Sequence, residues 1–230
     1  MECANRRVAC VATFGFHRRV LEPIAKAFAE SLVTFDVSEA IAWSPDVIVV
    51  ADRSLLPRLR DYCDHRNVIL IGLRHGAVNK YTAPGSEYKL ADYICGSEWD
   101  VEDFESHGVY PQRGFLVTGN PWVDDVFRIP QRRLVKDSPT ILFAPTYNPE
   151  TSAAAFFHRR LLDLIRCVYP ESRVIIKPHP AILEYNSPYV RCYSHIFVDW
   201  IEYWREIGKE SGVEFIADSE IPISHFYDEA

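Results

Sequence analysis

The sequence predicts an α/β protein of two Rossmann-like, parallel-sheet domains. Short β-branched runs alternate with longer helical patterns along the chain, as in βα units that place helices on both faces of a sheet. The alternation stops at Ile129 to Pro139 and then restarts. At 230 residues, 48% hydrophobic and 25% charged, the chain has ample apolar surface for a core, and the restart favours two small domains over one large one.

In the first half, the strands expected are Val8 to Phe14, Leu32 to Val37, Asp46 to Ala51, Val68 to Gly72, Tyr93 to Cys95 and Phe115 to Thr118. Helical patterns lie between them at His17 to Glu30, Leu55 to Asp64, Trp99 to His107 and Pro121 to Phe127. Ser97 precedes a first turn rich in carboxylates, as a helix dipole prefers. Ile129 to Pro139 contains two prolines and the bases Arg132, Arg133 and Lys136, without an apolar period, and reads as a linker. The expected organisation is a domain over 1–128, a linker over 129–139 and a second domain over 140–230.

The second domain should open with strand Thr140 to Ala144 and helix Ala153 to Val168. Strand Arg173 to Lys177, a long helical segment and strand Val213 to Ala217 should follow. Ile196, Phe197, Trp200, Ile201, Trp204 and Ile207 recur at helical spacing and read as a packing face. Ile221 to Ala230 resembles the start of another helix, yet the chain stops before the strand such a helix normally feeds. The expectation is therefore a second domain that is incomplete at its C-terminal end.

A formal net charge of −7 argues against a broad electrostatic grip on nucleic acid. The six cysteines form no CxxC pair, and four lie in or beside apolar runs, so they read as reduced and mostly packed. Met1 to Arg7 is polar, and the apolar run after it breaks at Gly15, so neither a secretory signal nor a spanning segment is expected. A cytoplasmic protein is expected, compatible with peripheral contact at a membrane surface.

Open parallel sheets bind ligands at the carboxyl ends of their strands, so the strand-end residues carry the functional reading. His75 and Gly76 follow the fourth strand; glycine admits close backbone approach and an imidazole can take a proton near neutrality. The pair also fits a loop histidine bonded to a nearby carbonyl. Lys177, Pro178, His179 and Pro180 form a stiff turn that displays a cation and a directed donor, a combination suited to phosphate and equally to a surface turn. Thr146, Tyr147 and Asn148 offer a hydroxyl and an amide after the first strand of the second domain. Gly119 and Asn120 make a tight turn, with Pro121 at the first position of the helix that follows. Gly15, Phe16, His17 and Arg18 follow the first strand without a GxGxxG fingerprint. There is neither an HExxH nor an aspartate-rich DxD run, so a metal-independent reaction without a cofactor is expected, with basic side chains and helix N-termini neutralising a leaving phosphate.

Taken in order, LRHG at Leu73 to Gly76, ADYICGSEWDVEDF at Ala91 to Phe104, VTGNPWVDDVF at Val117 to Phe127, ILFAPTYN at Ile141 to Asn148 and IIKPHP at Ile175 to Pro180 resemble the CDP-glycerol glycerophosphotransferases. These are teichoic-acid and capsule polymerases of the GT-B glycosyltransferase fold. The resemblance covers most of the chain from about Val68 onward, and the VTGNP turn is also similar to UDP-N-acetylglucosamine 2-epimerases of the same fold. It implies a donor such as CDP-glycerol or a CMP- or UDP-sugar, bound by the C-terminal domain, and a polymer or lipid-linked acceptor reached from the N-terminal one. Transfer would occur at the cytoplasmic face of a bacterial membrane. His75 would then be the general base toward the acceptor, while His179 with Lys177 would hold or protonate the donor phosphates beside Thr146. The family continues into a serine-rich donor-binding loop that this sequence lacks, so a chain complete as given would bind donor weakly. Two rivals stand beside transfer. One is an epimerase-like isomerase, for which Glu98 and Asp100 are the nearby carboxylates; the other is a non-catalytic module that binds a phosphorylated glycan or nucleotide.

Overall fold

The computed structural model describes residues 6–74, 84–119, 139–150, 152–156, 159–187, 190–219, 221 and 223–226. It divides into two compact units, Met1–Asp125 and Val126–Ala230. His75, Gly76, Asn120, the helix expected over 121–127 and the linker up to residue 138 lie outside the described residues.

The first unit carries β1 (Arg7–Val11), α1 (Gly15–Ala25), β2 (Glu30–Thr34), α2 (Val37–Ala42), β3 (Val47–Val50), α3 (Leu56–Arg66), β4 (Ile69–Leu73), β5 (Tyr93–Gly96), α4 (Glu98–Ser106) and β6 (Gly114–Val117). Its strands form one parallel sheet in the order β2-β1-β3-β4-β5-β6. Successive side chains of a strand point to opposite faces, and both faces are covered here, which is why the strands read as continuous apolar runs. Val8, Cys10 and Ala12 pack with Val20, Leu21 and Ala25 of α1. Ala9 and Val11 face the other way, into a cluster with Leu56 and Leu59 of α3 and Phe104 of α4.

Two local expectations shift. The run expected as strand to Val37 ends at Thr34, because the Asp36 carboxylate accepts from the Ser38 amide at 2.7 Å and caps α2. Helix α1 stops at Ala25 rather than Glu30, soon after the internal Pro23, which has no N–H to give. Helix α4 begins where Ser97 forecast: the Ser97 Oγ accepts from the Asp100 amide at 3.2 Å, and the Asp100 carboxylate accepts from the Ser97 amide at 2.8 Å. Ser97→Ala should cost about 1 kcal/mol, read as faster hydrogen exchange in the first turn of α4; unchanged protection would mean the cap contributes nothing.

The second unit carries β7 (Thr140–Phe143), α5 (Arg159–Val168), β8 (Arg173–Ile176), a single turn α6 (Pro180–Leu183), α7 (Ser194–Ile207) and β9 (Val213–Phe215). Its strands are parallel, in the order β7-β8-β9. The aromatic stripe is a packing face: Phe197, Ile201, Trp204 and Ile207 of α7 are buried with Leu162 of α5 and Val174 and Ile176 of β8. The long helical segment is divided, with α6 and a 3-10 turn, Arg191–Tyr193, ahead of α7.

The thiols of Cys10, Cys63 and Cys95 are buried and unpaired. Burial pushes Cys10 and Cys63 up to about 12 and Cys95 to about 11, so these are packing groups rather than nucleophiles. Among the described residues, no helix is long and apolar enough to cross a membrane.

Candidate functional site

The polar residues singled out in the second half of the sequence gather at the carboxyl edge of the β7–β8 pair. These strands are neighbours in parallel, so the loops that leave them must run side by side. The Lys177 amide donates to the Phe143 carbonyl at 2.9 Å, and the His179 amide to the Pro145 carbonyl at 3.1 Å. Pairing therefore continues three residues beyond β8, to His179, and the two turns are held as one. The Tyr147 ring lies against the His179 imidazole, with centroids 5.0 Å apart.

His179 is the N-cap of α6: its Nδ1 accepts from the Ala181 amide at 3.1 Å. In the neutral ring this leaves the proton on Nε2, a donor whose direction is set by the cap. Lys177 departs from expectation. It is buried, 3% exposed, rather than displayed on a surface turn, because the residue still follows the strand register; Nζ reaches the Pro178 carbonyl at 3.5 Å among its contacts. A buried ammonium is restrained and partly desolvated, conditions under which its attraction for an anion is strengthened.

The loop after β7 is braced from within. The Ser152 Oγ donates to the Thr146 carbonyl at 2.5 Å and accepts from the Ala154 amide at 3.1 Å. The Asn148 side-chain oxygen accepts from the Glu150 amide at 3.0 Å, which fixes its carbonyl end in the turn. Thr146, Tyr147 and Asn148 are half-buried. Ser152 was not singled out in the sequence, although a serine just before an alanine run is a recognisable turn or cap signal.

In the first unit, Gly119 has φ +71°, and its amide donates to the Gly96 carbonyl at 3.1 Å beside the end of β5. A glycine is needed there to leave β6 in the left-handed region. The carboxylates considered for an isomerase are placed differently from one another. Glu98 is exposed on the first turn of α4, whereas Asp100 is buried in the capping box and faces Arg74, Nε to Oδ1 3.7 Å. Arg74 also pairs with Asp103. Asp100 is thus engaged in holding α4 against the sheet.

After β1 and β3 lie two buried polar residues: His17, in the first turn of α1 and weighed in the sequence only for a missing glycine fingerprint, and Asp52, which the sequence did not single out. The Thr13 amide donates to the His17 Nδ1 at 3.4 Å, and the rings of Phe14 and Phe16 stand 5.3 and 4.2 Å from the imidazole. The Asp52 Oδ1 accepts from the Ser54 amide at 2.9 Å. Neither position is distinctive in the sequence, because their proximity depends on which strands are neighbours.

No family model matches the sequence, and no curated protein matches it significantly. Solved structures do match in fold. UDP-N-acetylglucosamine 2-epimerase from Neisseria meningitidis, bound to UDP-GlcNAc, superimposes with a TM-score of 0.59 at 13% identity, over 96% of this chain and 74% of that one. MnaA from S. aureus, solved with UDP, gives 0.57 at 13% identity, over 97% and 71%. The fold is of the GT-B type. HepE from Anabaena, in complex with UDP-glucose, gives 0.53 at 12% identity over 92% of this chain and 69% of that one. Within a GT-B chain the carboxyl edges of both parallel sheets are the places to look for ligand, and both carry buried polar side chains here, Asp52 in one and Lys177 in the other.

Proposed function

We propose that the chain binds a nucleotide-activated sugar or polyol phosphate through the joined turns at the carboxyl edge of β7 and β8. Lys177 and His179 would meet the phosphates, and Thr146, Tyr147 and Asn148 would line the same subsite. The observation that carries this reading is the union of the two turns: the His179 amide bonded to Pro145, the imidazole set by its cap, and a buried lysine two residues before it. An oriented N–H and a cation on one strand end would suit a diphosphate bound without a metal, which supports this reading.

The reaction proposed is transfer of a glycerophosphate or sugar from a CDP-, CMP- or UDP-activated donor to a surface-polymer acceptor. The basic pair would neutralise charge on the departing nucleotide while an acceptor hydroxyl attacks. The role of general base is proposed for His75, on the resemblance of LRHG to the glycerophosphotransferases. An epimerase-like isomerase is the second reading, favoured by the fold match to two enzymes that are UDP-sugar epimerases or are solved with UDP. Product analysis separates the two: incubation with UDP-N-acetylglucosamine alone yields an epimer only in the second case, whereas transfer requires an acceptor.

Calorimetric titration of the chain with UDP, CDP and CMP tests the binding step. His179→Asn is the informative variant, since an asparagine oxygen can replace Nδ1 as the cap of Ala181 while Nε2 is lost. Affinity for the preferred nucleotide should fall roughly 10- to 100-fold, the range for a hydrogen bond to a charged group, with little change in melting temperature. Wild-type affinity retained in this variant would remove His179 from the site. Failure of all three nucleotides to bind the wild-type chain would overturn the proposal.

A further inference from the structure

The order β2-β1-β3-β4-β5-β6 contains one reversal: from β1 the chain runs to β2 on one side, then returns to β3 on the other. Connections leaving β1 and β3 therefore diverge, and in an open parallel sheet this is where a crevice forms at the carboxyl ends. Thr13 to Gly15 follow β1 there, and Asp52 and Arg53 follow β3.

Asp52 is 4% exposed, and only half of its carboxylate is used. Its Oδ1 caps the 3-10 turn Arg53–Leu55 through the Ser54 amide, while its Oδ2 is buried without a hydrogen-bond partner. Burial acts to raise the pKa of this carboxyl. The Ser54 amide, the Thr13 and Ser54 side chains and the charge of His17 outweigh it, and the group is held below its usual value. It is an ionised acceptor with an unfilled position, and a buried unfilled acceptor is costly enough to call for an explanation.

A cap alone does not explain it, because serine or asparagine would cap the turn without burying a second anionic oxygen. The surroundings narrow the occupant. A carboxylate accepts only, so the partner must donate. Phe14 and Phe16, stacked 5.4 Å apart at 6°, present apolar ring surface next to the His17 imidazole, which suits a carbon skeleton better than a bare cation. A neutral hydroxyl on a carbon skeleton with an apolar C–H face satisfies both.

We infer that Asp52 binds a hydroxyl of a sugar or polyol at the β1/β3 reversal, a subsite in the first unit separate from the phosphate-binding turns of the second. The inference adds a ligand group to the reading above, and its probes contain no nucleotide.

The test is amide chemical-shift titration of the full chain with sn-glycerol 3-phosphate and with N-acetylglucosamine 1-phosphate, using inorganic phosphate as the reference. Saturable shifts are expected at Thr13, Ala51 and Ser54 with at least one of the two organic probes and not with phosphate alone. The two probes distinguish a polyol from a sugar. Asp52→Asn and Asp52→Ser both keep a side-chain oxygen for the Ser54 amide, and each should weaken that binding by about tenfold or more. Absence of saturable shifts at these amides in the wild-type chain would overturn the inference, as would equal binding by a folded variant or the same response to inorganic phosphate. Nucleotide-induced shifts at Lys177 and His179 in the same sample report on the other proposal, so either can fail without the other.

Discussion

Trp204→Ala is expected to cost about 3–5 kcal/mol, enough to leave the second unit largely unfolded at ambient temperature. Trp204 is fully buried, and its ring meets Phe143 of β7 at 6.4 Å, Trp200 of its own helix at 6.0 Å and Phe215 of β9 at 6.2 Å between centroids. It thus ties α7 to both outer strands of a three-stranded sheet, and so small a core has few residues over which to spread the loss. Hydrogen exchange at the β8 amides should accelerate to near-unprotected rates while β3 of the first unit stays protected. Trp204→Phe should cost less than roughly half as much, because it keeps ring contact and removes an Nε1–H that is buried without a partner. A loss below about 1 kcal/mol for the alanine variant would contradict this account of the core.

The second large effect is expected at Asp92, at the amino ends of the central strands and away from the ligand edge. Asp92 is 2% exposed; its Oδ2 accepts from the Leu70 amide at 2.8 Å and faces the Arg60 Nη1 at 3.4 Å, while its Oδ1 faces the Arg113 Nε at 3.2 Å. The carboxylate therefore joins β4, α3 and the segment leading into β6. Asp92→Ala leaves a buried amide and a buried guanidinium without their shared acceptor, and a loss of about 3–5 kcal/mol follows. Asp92→Asn keeps an oxygen for the Leu70 amide and should lose distinctly less. Denaturant titration of both variants measures the difference. Equal losses would place the whole effect in the charge, and no loss in either would mean that water replaces the carboxylate.

These two sites divide the work of the fold from that of the site. Asp92 and Asp100 are buried carboxylates with partners on several sides, so their chemistry is spent on cohesion. Asp52 is equally buried and leaves one oxygen unused, and it lies at the strand end where the sheet reverses. Burial alone does not separate structural from functional carboxylates, and neither does an unfilled oxygen, since the Asp100 Oδ1 also lacks a hydrogen-bond partner; that oxygen, however, faces the Arg74 guanidinium, whereas Asp52 stands at the strand end where the sheet reverses.

Much of this was legible beforehand. The alternation of β-branched runs with helical patterns gave the α/β class, and the strand-end positions of Thr146, Tyr147, Asn148, Lys177 and His179 followed from where the runs stopped. The α7 stripe and the Ser97 cap are likewise local, since helical period and capping act within a few residues and leave their mark in consecutive positions. Strand order is not local. Only the tertiary structure decides that β1 lies between β2 and β3, which brings His17 and Asp52 to one edge, and that Lys177 is covered rather than displayed. A sequence specifies which residues follow each strand. Which strands become neighbours, and so which of those residues share a crevice or lose their water, is set by packing between segments distant along the chain.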